Sequence, residues 1–395
     1  MMTNHIAFYQ FCSAIRRKGA LALCLALSML GLGLSASAQK PRIITFDVTG
    51  AGTEAGQGTM PIGIVQGDWI SGTYVDGNNV SHGFLRAPDG KLTTFDAPGA
   101  GTNPYQGTEE VHGMNRSLEI VGTYMDANNS YHGFRRSARG WFTTFDCPGA
   151  GTGSYQGTAG HGVNDAGLIS AEYADANYVW HGCVLTPHGD FTTYDPPDIG
   201  TVPGSGQGTY PAIFSGITPE GAIIGEYMDV NYMIHAYLRS ADGIITEFDD
   251  PNEGTGAIQG TGTSGINPAG EINGWYIDAN NVFHGFLRAP HGALTPVDVP
   301  GAGTGTYQGT YAAEFMPAFG GINPAGTITG FYADKNSVYH GFLRTPGGKI
   351  TTFDVSEAGT GNWQGTLPLD ITPDGATTGW YIDAGGVYHG FLRTP

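Results

Sequence analysis

The chain has 395 residues, 65 of them glycine, with 40% hydrophobic and only 13% charged residues and a formal net charge of −18. So much glycine and so little charge exclude a helical bundle, while 20 tyrosines and 19 phenylalanines supply enough apolar surface for a core and exclude a disordered chain. Seventeen basic residues against 35 acidic ones cannot track a phosphate backbone, which excludes nucleic acid as a partner.

Residues 1–38 read as a signal peptide. Arg16, Arg17 and Lys18 precede an apolar stretch from Ala20 to Leu34 that is short for a membrane span. Ser-Ala-Ser-Ala then stands before Gln39, the small-residue pattern of a cleavage site. The expectation is cleavage after Ala38 and a soluble secreted or periplasmic protein, with no membrane insertion of the mature chain. The segment carries three basic and no acidic residues, so the remainder has a net charge of −21. Of four cysteines only Cys147 and Cys183 remain. Each replaces a residue that is usually apolar in the repeat described next, which predicts two buried thiols and no disulfide.

Everything after residue 38 is repetitive. His-Gly-Phe-Leu-Arg or a variant begins at His82, His132, His181, His235, His284, His340 and His389. A Gln-Gly-Thr marker and a strand ending in Asp recur with it, the latter at Asp47, Asp96, Asp146, Asp195, Asp249, Asp298 and Asp354. A period near 50 residues, rich in glycine and aromatics, reads as propeller blades. Each unit offers four short strands with Gly, Asn or Pro at the turns between them, as hairpins need. The fold predicted is all-β, a seven-bladed β-propeller of four-stranded blades. After an opening strand at 43–47, the blades fall near 62–96, 111–146, 160–195, 214–249, 264–298, 319–354 and 369–394. The last lacks a fourth strand, and pairing it with 43–47 closes the ring and removes an open edge.

The segment Gly-Ile-Asn-Pro-Ala-Gly-Glu-Ile-Asn-Gly-Trp-Tyr at 265–276, followed by His284-Gly285-Phe286, resembles the HAF-type extracellular repeat of bacterial proteins. His235-Ala236-Tyr237 comes nearest to the eponymous string. The resemblance implies a secreted, propeller-like protein and no particular activity.

Three polar sets repeat. Asp76, Asp126, Asp175, Asp229, Asp278, Asp334 and Asp383 each precede a repeat histidine by six positions. Seven copies suit a structural Asp–His tether better than one catalytic centre, with a divalent cation as the minor alternative; no cofactor is expected. The third-strand arginines predict an Arg–Asp ladder with the fourth-strand Asp. Gln-Gly-Thr is read as a crossing loop that satisfies its own backbone.

The departures from the repeat are more specific. His112 and His161 fill one first-strand position in consecutive units, where the others have Ile62, Ser215, Ser264, Gly320 and Leu369. Glu109 and Glu110 lie just before, and Asp370 replaces the next glycine in the last unit. If first strands are innermost, these residues face the axis near the mouth bounded by the crossing loops. There they either line a wet channel or form a His–carboxylate cluster for metal or acid–base chemistry. The crossing loop after Gln308 carries seven extra residues, and its Tyr311 and Phe315 are candidates for a lid or contact site or for packing onto the scaffold. The reading of function is a non-catalytic binding or scaffold propeller for a glycan or protein partner. The alternative is a polysaccharide or peptide lyase or hydrolase with a histidine site at the channel mouth.

Overall fold

The computed structural model describes residues 41–213, 216–311 and 320–395; the predicted signal peptide lies outside them. The described chain is all-β and propeller-like. Its 28 strands form one hydrogen-bonded sheet, and no helix occurs among the described residues.

The first full repeat shows the pattern. Strands Gly58–Val65, Trp69–Val75, Ser81–Arg86 and Leu92–Phe95 form an antiparallel meander. Ser81 then bridges in parallel to Gly107, the first residue of the next repeat's first strand. The strand Arg42–Phe46 pairs antiparallel with Tyr388–Thr394, from Arg42 opposite Thr394 to Phe46 opposite Gly390, and Gly58 bridges to Tyr388. The ring therefore closes as expected, with the opening strand as the missing edge.

The first strands start earlier than the sequence suggested, at the Gly of Gln-Gly-Thr. The parallel bridge explains this. A Cβ on Gly58 would stand 2.0 Å from the Tyr388 carbonyl oxygen, at a φ of 123° that side chains avoid, so only glycine opens the strand. The following threonine stitches repeats together: Thr59 Oγ1 accepts the Val48 N–H and Thr108 Oγ1 the Ala97 N–H, both at 2.9 Å. The glutamine reading holds. Gln106 Oε1 accepts the Asn103 N–H at 3.2 Å inside its own loop, and its amide donates to Asn129 Oδ1 at 2.7 Å.

Asn115, Asn164, Asn267 and Asn323 close the first hairpins. Asn164 Oδ1 takes the N–H groups of Ala166 and Leu168 at 3.1 and 3.0 Å, while its amide reaches the Thr218 carbonyl of the next repeat at 3.1 Å. Between repeats, Phe84, Phe134, Phe286, Phe342 and Phe391 are fully buried on the third strands. Burying such a ring contributes about 2–3 kcal/mol each, which makes these contacts the main apolar term.

Three sequence readings need correction. Cys147 and Cys183 are joined in a disulfide, with Cα atoms 6.4 Å apart. Cys183 occupies the place of the buried phenylalanine, Cys147 lies two residues past the preceding repeat's fourth strand Phe142–Phe145, and the repeat-to-repeat contact brings them together. The closest partner of each repeat histidine is the fourth-strand aspartate: His82 Nδ1 is 2.8 Å from Asp96 Oδ1, whereas Asp76 Oδ2 is 3.7 Å from its Nε2. Asp76 instead holds its hairpin, accepting the Asn78 and Val80 N–H groups at 2.8 and 2.9 Å. The arginines form no ladder with that aspartate; Arg86 and Arg288 lie over Phe46 and Phe248 of the preceding fourth strand, 4.8 and 4.4 Å from the ring centroids.

Candidate functional site

The residues nearest the axis owe their position to a β-bulge. In the third repeat Gly160 pairs with Ala171 and Gly162 with Ser170, which leaves His161 as the extra, unladdered residue. In the second, Glu110 pairs with Thr123 and Gly113 with Val121, freeing Val111 and His112 from the register. A bulge turns its extra side chain out of the strand's alternation.

His112 and His161 converge. Their Nδ1 atoms are 3.4 Å apart, and their rings lie 19° from parallel with centroids 5.5 Å apart. His161 Nε2 is 3.3 Å from Glu172 Oε2, and Glu110 Oε2 is 3.7 Å from His112 Nδ1. Burial by itself would lower His161, but the carboxylates of Glu172, Glu110 and Glu226 outweigh it and hold its pKa above the ordinary value. His112 is driven well below the ordinary value by burial and by the neighbouring His161 charge. The two shifts run in opposite directions and favour a proton on His161 over one on His112.

The same burial raises three of the carboxyls near the pair, Glu109, Glu110 and Glu226. Burial and then the charge of Glu172 raise Glu226 to about 8, against the Thr263 N–H that it accepts at 3.3 Å. Burial and Glu110 raise Glu109 to about 8. Glu110 is also raised, by burial first. Its side chain is partly accessible.

Glu172 and Glu226 were not anticipated. They occupy the residue before the repeat tyrosine on the second strand, where the other units have Thr73, Thr123, Trp275, Phe331 and Trp380. The signal was available as a second departure from the repeat, in the unit of His161 and the one after it. One side of the interior thus carries His and Glu, and the other carries large apolar rings.

Asp370 is engaged with backbone N–H groups. It lines the same cavity as His112, of about 200 Å³, together with Gly63, Val163, Ile217 and Ile322. Its carboxylate accepts the Ile64 and Ile371 N–H groups at 2.9 and 2.8 Å, tying the last repeat to the first. An adjoining cavity of about 210 Å³ is walled by first-hairpin turns, including Gln66, Asn115, Asp165 and Pro373. The cavity beside His112 therefore runs toward the hairpin-turn end of the first strands. The mouth expected at the crossing loops is at the other end of those strands. The lid reading fails for Tyr311: it is fully buried, its ring meets Phe342 edge-on at 5.5 Å, and its hydroxyl bonds Asn273 Nδ2 at 3.3 Å. Phe315 lies outside the described residues.

One set of side chains has metal-ligand geometry. His235, Asp249 and Glu253 offer donor atoms all within 4.8 Å of one another. Glu253 is peculiar to this repeat; Ala51, Ala100, Ala150, Ile199, Ala302 and Ala358 take its place in the others.

No protein-family model matches the chain and no curated sequence is similar to it. Solved structures share the fold. A lectin from Burkholderia pseudomallei is 8% identical with a TM-score of 0.53, over 86% of this chain and 94% of that one. A puromycin hydrolase is 11% identical with a TM-score of 0.50, over 82% of this chain, which spans only 50% of the hydrolase. A fucose-specific lectin from Aleuria aurantia is 14% identical with a TM-score of 0.41, over 80% of this chain and 94% of that one. At these identities the likeness is one of fold: the chain is a repetitive, propeller-like all-β protein.

Proposed function

We propose that the chain is a seven-bladed β-propeller of four-stranded blades, of the HAF-type repeat kind, that binds a glycan outside the cytoplasm without transforming it. The observation that carries the binding reading is the display of large aromatic side chains on polar turns. Tyr105, Trp141, Tyr155 and Tyr307 are exposed among Asn, Asp, Gly and Ser residues. Aromatic faces stack on sugar rings while amides and carboxylates bond hydroxyls. The fold shared with a lectin supports the reading at the level of architecture alone. The Cys147–Cys183 bond and the N-terminal segment support export, since disulfides persist in oxidising compartments. Mass spectrometry of exported protein tests cleavage after Ala38.

The catalytic alternative rests on the His112–His161–Glu172 arrangement. The cavities beside it, of about 200 and 210 Å³, do not hold a polysaccharide chain. On this reading the cluster is a buried polar group of the interior and the glycan binds elsewhere. A glycan array probed with the chain lacking residues 1–38 tests the proposal. Selective retention of one glycan class is expected, and a blank array together with turnover of any glycoside or peptide would overturn it.

A further inference from the structure

Each crossing loop makes a tight turn just before the repeat glutamine, and its third residue has a left-handed backbone. Two repeats place glycine there, Gly56 at φ 83° and, in a longer loop, Gly204 at φ 73°, whose N–H donates to the Asn177 carbonyl. The other five place a large side chain at the same point: Tyr105 at 65°, Tyr155 at 59°, Ile258 at 64°, Tyr307 at 59° and Trp363 at 58°. Bulky and β-branched residues avoid this region, and glycine enters it freely.

The turn does not need these side chains. Its work is done by the backbone: the Tyr105 N–H donates to the Asn79 carbonyl at 2.6 Å, and the Gly56 N–H makes the equivalent bond to Gly386 at 3.0 Å. Nor are they core residues. Tyr105 is 74% exposed, Tyr155 57%, Ile258 58% and Tyr307 44%. Trp363 is half-buried, resting on Tyr339 at 5.6 Å between centroids as Tyr155 rests on Tyr131 at 6.4 Å. The hairpin tip facing each loop has a left-handed residue too, and two of these are Tyr178, whose hydroxyl donates to the Ser154 carbonyl, and Tyr232. Strain retained at equivalent exposed points, where glycine would serve the fold, points to selection for something outside the fold.

We infer that these loop side chains are equivalent stacking platforms at five of the seven repeat junctions, which together grip sugar rings along one neutral repeating polysaccharide. The inference rests on the glycan reading above and assigns its subsites and substrate class. The four aromatic rings, with the apolar face of Ile258 as the fifth, stand apart among Asn-, Asp- and Gly-containing turns and form no contiguous apolar patch, an arrangement that suits separate sugar rings better than one protein surface. The net charge of −18 repels an acidic polymer. Weak identical sites gain affinity by acting together on one chain.

The test uses affinity electrophoresis through gels containing a soluble β-glucan, mannan or galactan, with polygalacturonate as the acidic control, beside thermal unfolding. The variants are Tyr307→Gly and a fivefold variant with glycine at 105, 155, 258, 307 and 363. The single change is expected to weaken retardation by at least one neutral polymer roughly threefold to tenfold, and the fivefold change to abolish it. Melting temperature should stay level or rise, because strain is relieved. A fall in melting temperature on Tyr307→Gly makes the side chain structural and overturns the inference. Retardation that survives in the fivefold variant overturns it while leaving glycan binding intact. A wild-type protein retarded by no neutral polymer overturns both, as does retardation by polygalacturonate alone for the substrate class.

Discussion

Replacing Glu226 by glutamine isolates the cost of the buried acidic cluster. In the folded ring Glu226 sits behind His161 and Glu172 and keeps its proton to about pH 8; unfolded, it releases it near the ordinary 4.5. The folded state therefore binds the extra proton, and stability is lost as pH rises from about 4.5 to about 8 and changes little beyond. That interval corresponds to about 5 kcal/mol as an upper bound at about 1.4 kcal/mol per pH unit, and screening reduces the working figure to about 2–3 kcal/mol. Glutamine keeps an oxygen for the Thr263 N–H and does not titrate. Urea unfolding followed by the fluorescence of the six tryptophans should give similar stabilities for both proteins at pH 5. The variant should then gain steadily toward pH 8. A stability difference that is constant across this range, or a variant less stable at pH 8, would refute the electrostatic account of the site.

Deleting residues 39–47 should bare the edge of Tyr388–Thr394 and cost about 3–5 kcal/mol in lost ladder bonds, with dimers visible by size-exclusion chromatography; unchanged melting and a clean monomer would refute closure by this strand. Reducing the Cys147–Cys183 bond, which spans 36 residues, should cost about 4 kcal/mol in denaturant unfolding, and no loss once two free thiols are titrated would contradict it. The hydrogen bond to Asp298, with the charges of Asp298 and Asp278, holds His284 above its ordinary pKa against burial. Its contribution to stability is complete below about pH 6.5 and fades as pH rises through the raised value. By NMR titration Asp298→Asn should lower this pKa more than Asp278→Asn; the reverse order would restore Asp278 as the principal partner.

The periodic features were legible because each copy of the repeat meets the same local problem. Gln106 and its six equivalents, the glycine-bearing turns and the spare strand at 43–47 follow from spacing and from the need to pair every edge. His112 and His161 stood out as departures at one position, and the ring brings them into contact. The pairings that run between neighbouring repeats were not legible. Cys147 meets Cys183, and Arg86 meets Phe46, across junctions whose geometry depends on how one repeat leans on the next. Asp76 and Asp96 are both within sequence reach of His82; only the backbone of the hairpin, which claims Asp76 for its own N–H groups, leaves Asp96 as the histidine's partner. Glu172 and Glu226 become part of the site because a bulge in one strand points His161 at the neighbouring second strands. Local spacing is written in the sequence; which departures share one interior is decided by the closing of the ring.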